Sequence, residues 1–246
     1  MKKALLALAF CTLLAAGCRE EAKPKPKVIY KDKKANEKLS AKTDSTQIKV
    51  ADLPVHMEGT DYLIHPIGDI RIYDDNSRSY GSSRTNNVSY AISNYNRFEI
   101  TGYFGNLKFQ HIDSTSLYTL TDKPLQIQTV TYLQDISKKQ ILVYTLVDSD
   151  TNLDRKIDVN DIKSLYISDI SGHNFYKLSK DMQELIDWNI IEAQDRLYFR
   201  TIEDINKNGA FDKNDKVHYY YADLFSPNWE VTDYYPVDTA NISAND

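Results

Sequence analysis

Gln140-Ile141-Leu142-Val143-Tyr144-Thr145-Leu146-Val147, followed by Asp148-Ser149-Asp150-Thr151-Asn152-Leu153-Asp154-Arg155-Lys156-Ile157-Asp158-Val159-Asn160-Asp161, is the stretch on which the fold turns. Its first half is a near-continuous run of β-branched, aromatic and aliphatic residues, the composition of a strand. Its second half is too rich in Asp and Asn to continue that strand and reads as a loop. The pattern returns 54 residues later. Tyr144, Asp150, Asn152, Asp158, Asn160, Asp161 and Asp169 then fall on Tyr198, Asp204, Asn206, Asp212, Asn214, Asp215 and Asp223. Each copy reads strand, Asp/Asn-rich loop, strand.

Outward from this unit the chain stays β. Arg97–Phe104 and Leu125–Val130 alternate apolar with polar residues, and Arg196–Ile202 and Val217–Leu224 supply further strands. Eighteen tyrosines fit a pleated, half-exposed surface. Helix is scarce; the best candidate is Lys180–Trp188, where Met182, Leu185 and Ile186 share a face. Asp74–Asn96, rich in Ser, Asn, Tyr and Arg, reads as a long surface loop. A second comparison, at an offset of 58, sets Leu107, Ile112, Tyr118 and Leu120 on Leu165, Ile170, Tyr176 and Leu178. The expected fold is all-β, with repeats near 106–121, 142–179 and 196–232. A strand-built period in the fifties predicts β-propeller-like blades of strand–calcium-loop–strand, and the alternative is a β-sandwich of repeated hairpins.

The segment Leu165-Tyr166-Ile167-Ser168-Asp169-Ile170-Ser171-Gly172-His173-Asn174-Phe175-Tyr176-Lys177-Leu178-Ser179 resembles the blade motif of TolB-type propeller repeats. There a strand ends in Asp, a Gly-containing hairpin turn follows, and the next strand closes in Leu-Ser or Leu-Thr. Leu107–Thr121 resembles it in part but lacks the glycine.

Within the two loops, oxygen side chains stand at positions 1, 3, 5, 9 and 12: Asp150, Asn152, Asp154, Asp158 and Asp161, then Asp204, Asn206, Asn208, Asp212 and Asp215. This spacing resembles the EF-hand loop, in particular the dockerin variety with Asp at position 12. The resemblance implies Ca²⁺, a hard ion that takes six to eight oxygens. At position 7 a backbone carbonyl, from Lys156 or Ala210, would add a ligand. The apolar residue at position 8, Ile157 or Phe211, would pin each loop to the core. Position 6, normally glycine for its left-handed backbone, is Gly209 in the second loop but Arg155 in the first. Asp and Asn also make ion-free turns, which is the competing reading. Against it stand two copies in register, and four carboxylates in the first loop that would repel one another without a cation.

The N-terminus carries a different signal. Met1-Lys2-Lys3 and the short apolar run Ala4–Ala15 suit an export signal and are too brief to span a bilayer. The run closes in Leu14-Ala15-Ala16-Gly17-Cys18, which resembles a bacterial lipobox and implies acylation of Cys18 after removal of the preceding residues. The only other cysteine, Cys11, leaves with the signal, so the exported body has no disulfide. Residues 19–50 have the composition of a flexible tether, with ten Lys/Arg and five Asp/Glu. Arg19-Glu20-Glu21 resembles the tag that directs some lipoproteins to the outer face of the outer membrane. Residues 51–246 then form a single β domain with 18 Lys/Arg against 30 Asp/Glu, a net charge of −12 that argues against nucleic acid as a partner.

No Gly-x-Ser-x-Gly, Walker or His-Glu-x-x-His motif occurs, and the five histidines show no ligand spacing. The expectation is a non-enzymatic, calcium-stabilised β module held on the outer membrane by lipid, with a protein or glycan ligand. The alternative is a secreted glycan-acting hydrolase, or a glycan-binding lipoprotein using the tyrosines with Trp188 and Trp229.

Overall fold

The computed structural model describes residues 26–30, 47–71, 93–136 and 138–237. Cys18 and residues 74–92 of the loop read from the sequence lie outside them.

Three antiparallel sheets make up the described body. In the first, β1 (Gln47–Ala51), β3 (Tyr62–Arg71), β6 (Asn106–His111) and β7 (Tyr118–Thr119) run side by side, and β2 (Val55–His56) also pairs with β3. The second sheet has the order β11-β10-β9-β8-β5-β4. These are Tyr176–Lys177, Lys163–Asp169, Lys139–Val147, Gln126–Ile136, Glu99–Phe104 and Ser93–Tyr95. The third runs β12 (Gln183–Ile191), β13 (Arg196–Glu203), β14 (Lys216–Asp223) and β15 (Val231–Asp233). Among the described residues there is no α-helix, only a single 3-10 turn at Glu192–Gln194. None of the three sheets closes on itself. The all-β expectation holds.

The second sheet is the middle layer, because β9 is buried on both faces. Leu142, Tyr144 and Leu146 point to one side and pack with Ile64, Leu107 and Phe109 of the first sheet. Ile141 and Val143 point to the other and pack with Leu185, Leu197, Phe199 and Tyr220 of the third. A strand with two buried faces has no place for polar alternation, which explains the unbroken apolar run at 140–147. Each such side chain contributes about 1.5–3 kcal/mol when fully buried. Tyr144 carries a hydroxyl into this core, and the Ser168 Oγ 2.6 Å away satisfies it. Burial drives that phenol's pKa far up, so it stays neutral.

The helix expected at Lys180–Trp188 is instead strand β12, paired with β13 along its length. Its register shifts between Leu185 and Asp187. Before this bulge Gln183 and Leu185 face the core, and after it Trp188 and Ile190 do. The bulge therefore places apolar residues three apart, at 185 and 188, a spacing that imitates a helical face. A nine-residue helix is marginal alone, and burial of Leu185 against the middle sheet outweighs its propensity.

Two parts of the stretch read as tether belong to the body. One is strand β1, which begins at Gln47, and the other is residues 26–30; Ser93–Tyr95, at the end of the expected loop, likewise belongs to the body as β4. Residues 26–30 lie against the two Asp/Asn loops, with Val28 only 2% exposed. The apolar trio Val28-Ile29-Tyr30 is what lets this one short piece of a lysine-rich segment bury surface.

The repeats map onto hairpins. The 54-residue slide superposes β9–loop–β10 on β13–loop–β14. Tyr144 is buried between the first two sheets, while Tyr198 stands on the open face of the third. Gly172, the turn glycine of the blade-like segment, has φ +81°, and a Cβ there would lie 2.4 Å from the Phe109 ring. That hairpin tip is thus locked onto the first sheet.

Candidate functional site

Both Asp/Asn loops leave the same end of the stacked sheets, one between β9 and β10, the other between β13 and β14. Their internal hydrogen bonds match position by position. At position 1, Asp150 accepts the N–H groups of Asp154 and Arg155 at 3.1 and 2.8 Å; Asp204 accepts those of Asn208 and Gly209 at 3.1 and 2.7 Å. At position 3, Asn152 and Asn206 each accept the position-5 N–H at 2.9 Å. At position 5, Asp154 and Asn208 accept the N–H of Lys156 and Ala210. At position 9, Asp158 and Asp212 accept the N–H of Asn160 and Asn214. At position 12, Asp161 and Asp215 accept the N–H of Asp158 and Asp212, at 3.0 and 2.8 Å.

The backbone agrees. Positions 4 and 6 are left-handed in both loops, with Leu153 at φ 59° and Arg155 at 71°, and Lys207 at 56° and Gly209 at 82°. The bend expected at position 6 is present with or without glycine, and arginine adopts it at a cost of about 1–2 kcal/mol.

Within each loop the candidate ligands therefore share one small frame. Asp161 is 1% exposed and Asp204 4% exposed, so each loop buries one carboxylate, at opposite ends of the frame. Among the described residues no group of three or more His, Cys, Asp or Glu side chains is gathered as a metal cluster. The donor set of each loop is instead mixed, carboxylates with Asn amides and carbonyls. Ile157 and Phe211, expected to pin the loops, are only half-buried and belong to neither core cluster. Ile162 of the first loop is buried instead.

Thr151, at position 2, went unread in the sequence. It is 9% exposed and its hydroxyl accepts the N–H of Ile162 at 3.0 Å. That hydroxyl donates to the Lys27 carbonyl at 2.8 Å. This bond opens a bridge. Lys27 and Val28 N–H groups donate to the Gly209 carbonyl at 2.8 and 3.3 Å, and Ile29 N–H donates to the Thr151 carbonyl at 2.9 Å. Lys27 Nζ meets Glu184 at 2.8 Å, and Tyr30 Oη reaches the Asp204 carbonyl at 3.5 Å. Burial and the neighbouring Asp204 push the Tyr30 phenol up to about 12. Residues 26–30 thus span both loops. The signal that could have found them is the apolar trio among lysines.

No family model, curated protein or solved structure matches this chain.

Beside the first loop lies a cavity of about 760 Å³ whose lining includes Asp69, Asp122, Asp148, Asp150, Arg155 and Lys156. Asp148 is committed to neighbours, 2.6 Å from Lys177 Nζ and 2.7 Å from Tyr166 Oη. Burial alone would raise its pKa, but these two partners outweigh it and hold the carboxyl below the usual range. It stays ionised at neutral pH and is a poor proton donor. The histidines are dispersed: His65 contacts Gln110, His173 stacks on Tyr118, and His218 meets Glu203 at 2.7 Å. Trp229 is buried and Trp188 packs on the same core, so neither forms a surface platform. The open face of the third sheet carries tyrosines instead. Rings of Tyr198, Tyr219 and Tyr221 each lie 5.3–6.3 Å from Tyr234, and Arg196 sits 4.2 Å over Tyr221.

Proposed function

We propose that this chain is a lipid-anchored calcium-binding β module of the bacterial outer membrane, acylated at Cys18 and used for binding or scaffolding without catalysis. The observation that carries the calcium reading is the shared frame of the two loops. Five positions spaced alike in sequence make the same backbone bonds, including a left-handed bend that arginine adopts in one copy. An accidental Asx turn has no reason to recur with that fidelity 54 residues away. Calcium here acts as folding energy, tying hairpin loops in a domain without disulfides.

The finer fold reading, propeller-like blades, draws support from the order of the faces. Leu107 and Leu120 of the first sheet pack toward the second, and their repeat partners Leu165 and Leu178 pack toward the third, as successive blades would. A layered sandwich is the alternative.

The deciding experiment is thermal unfolding of the exported chain with calcium, magnesium and EDTA. Calcium should raise the melting temperature and magnesium at equal concentration should not, since Mg²⁺ retains its waters. Melting unchanged by calcium or chelator overturns the reading. A second reading, glycan binding, is favoured by the tyrosine face. Affinity electrophoresis through polysaccharide-loaded gels, comparing the natural chain with Tyr221→Ala, tests it; identical mobility in all gels overturns it.

A further inference from the structure

The geometry points to Pro26–Tyr30 as an intramolecular clasp that turns the loop-bearing end of the body toward the lipid at Cys18. The orientation rests on the anchoring reading; the clasp itself does not. Three backbone N–H groups in a row, the Thr151 hydroxyl and a buried valine hold this segment to both loops, and the Lys27–Glu184 ion pair ties it to β12. Gly209 is fitted to it, because a Cβ there would lie 2.4 Å from the Val28 carbonyl oxygen and 2.9 Å from Pro26 Cβ. Such close approach marks a seat shaped for a chain segment.

Chain length then sets the consequence. Pro26 is eight residues beyond Cys18, a leash of at most about 29 Å. The next described residue of the body, Gln47, is 29 residues beyond Cys18 and alone would allow about 100 Å. The clasp shortens the leash to about the length of β9, a nine-residue strand of roughly 30 Å. It also attaches that leash at one end of the sheets. The Asp/Asn loops are therefore held nearer the lipid surface than the opposite end, where the 3-10 turn at Glu192–Gln194 lies.

The test uses the acylated full chain in phosphatidylethanolamine/phosphatidylglycerol vesicles carrying a headgroup quencher, with a dye at Lys213→Cys in the second loop or at Ala193→Cys in the far turn. Both sites are exposed. Emission from 213 should be quenched at least twofold more than from 193. Val28→Asp should abolish the difference. Lys27→Glu, which sets two carboxylates together at Glu184, should do the same without touching the buried position. Equal quenching in the natural chain, or a difference that survives both substitutions, overturns the orientation. Hydrogen exchange of the Lys27, Val28 and Ile29 amides decides the clasp separately: slowing of tenfold or more supports it, and exchange at unstructured-peptide rates overturns it. A chain that takes up no palmitate and leaves the vesicles overturns the anchoring reading and the orientation together, with the exchange result still standing.

Discussion

The two Asp/Asn loops hold the same hydrogen-bonded frame by different means. The first buries its closing carboxylate, Asp161, which accepts N–H groups from Thr151, Asn152 and Asp158. The second buries its opening carboxylate, Asp204, and relies on Gly209 for the bend. At position 2 the first loop has the buried hydroxyl of Thr151, the second the exposed side chain of Ile205. Residues 26–30 meet the first loop through the Thr151 side chain and its carbonyl, and the second through the carbonyls of Gly209 and Asp204. The comparison teaches that spacing fixes the frame while the neighbours decide which position is buried. Breaking the same position in the two loops should therefore cost very different amounts.

Position 6 gives the largest contrast. Gly209→Val puts a branched Cβ at a left-handed residue and into the seat of Val28. Loss of the backbone preference and of Val28 burial together amount to about 3–5 kcal/mol, or a fall of about 10 °C in melting temperature for a body of this size. Arg155→Val at the equivalent exposed position replaces one strained side chain by another and should cost about 1 kcal/mol or less. Differential scanning calorimetry of the two variants measures the gap. Equal losses would mean that Gly209 is not fitted to the clasp.

Calcium is the next lever. At free calcium a hundredfold above its dissociation constant, each occupied site adds about 2.7 kcal/mol to stability. Asp150→Ala and Asp204→Ala should each remove part of the calcium-dependent shift in melting temperature, and the double variant all of it. Isothermal titration of each single variant then reports the affinity of the surviving loop. A double variant that still responds to calcium would place the binding elsewhere.

Legibility in the sequence followed the length scale of the constraint. The loops were legible because their ligand-type residues lie within twelve consecutive positions, and the left-handed bend at 155 and 209 could be read from one glycine and its counterpart. Strands β9, β13 and β14 announced themselves by composition. Strand β12 did not, because its bulge at Leu185–Asp187 displaced the period toward that of a helix. The seating of residues 26–30 was hidden for a different reason. Its partners, Thr151, Glu184 and Gly209, lie more than a hundred residues away, and a lysine-rich segment looks like a solvated linker until those partners are placed. The unbroken apolar run at 140–147 hinted that β9 is covered on both faces, but no residue pattern states which sheets cover it.

Acid response should separate the loops further. Asp148 precedes the first loop and its counterpart in the 54-residue slide is Ile202, so the second loop has no such pair. The folded-state pKa of Asp148 is depressed below its ordinary 3.8 by Lys177 and Tyr166, despite burial. Its contribution is therefore complete above that ordinary value and is lost as pH falls through the lower folded one. Charge-assisted bonds of this kind are worth about 1.5–3 kcal/mol. Asp148→Asn should destabilise the chain by an amount of that order at pH 7, and the gap from the natural chain should begin to close only as pH falls below the ordinary value of 3.8. Urea unfolding at neutral pH and below that value checks this; a gap that persists undiminished in acid would mean that the carboxylate charge is not what matters.

The smallest effect has the opposite sign. Arg155 is exposed and holds φ 71°, a region where a side chain is strained and glycine is not. Arg155→Gly relieves about 1–2 kcal/mol of left-handed backbone. It also gives the unfolded chain more freedom, which costs about 0.5–1 kcal/mol. The balance is a gain of about 0.5–1 kcal/mol, or about 1–3 °C in melting temperature. Because the gain comes from the backbone, it should appear with EDTA as well as with calcium. Arg155→Asn, a residue that tolerates the same bend, should recover part of it, whereas Arg155→Ala should recover almost none. A melting temperature that falls with glycine would mean that the guanidinium stem holds the loop through packing, and the two loops would then differ at position 6 in kind as well as in strain.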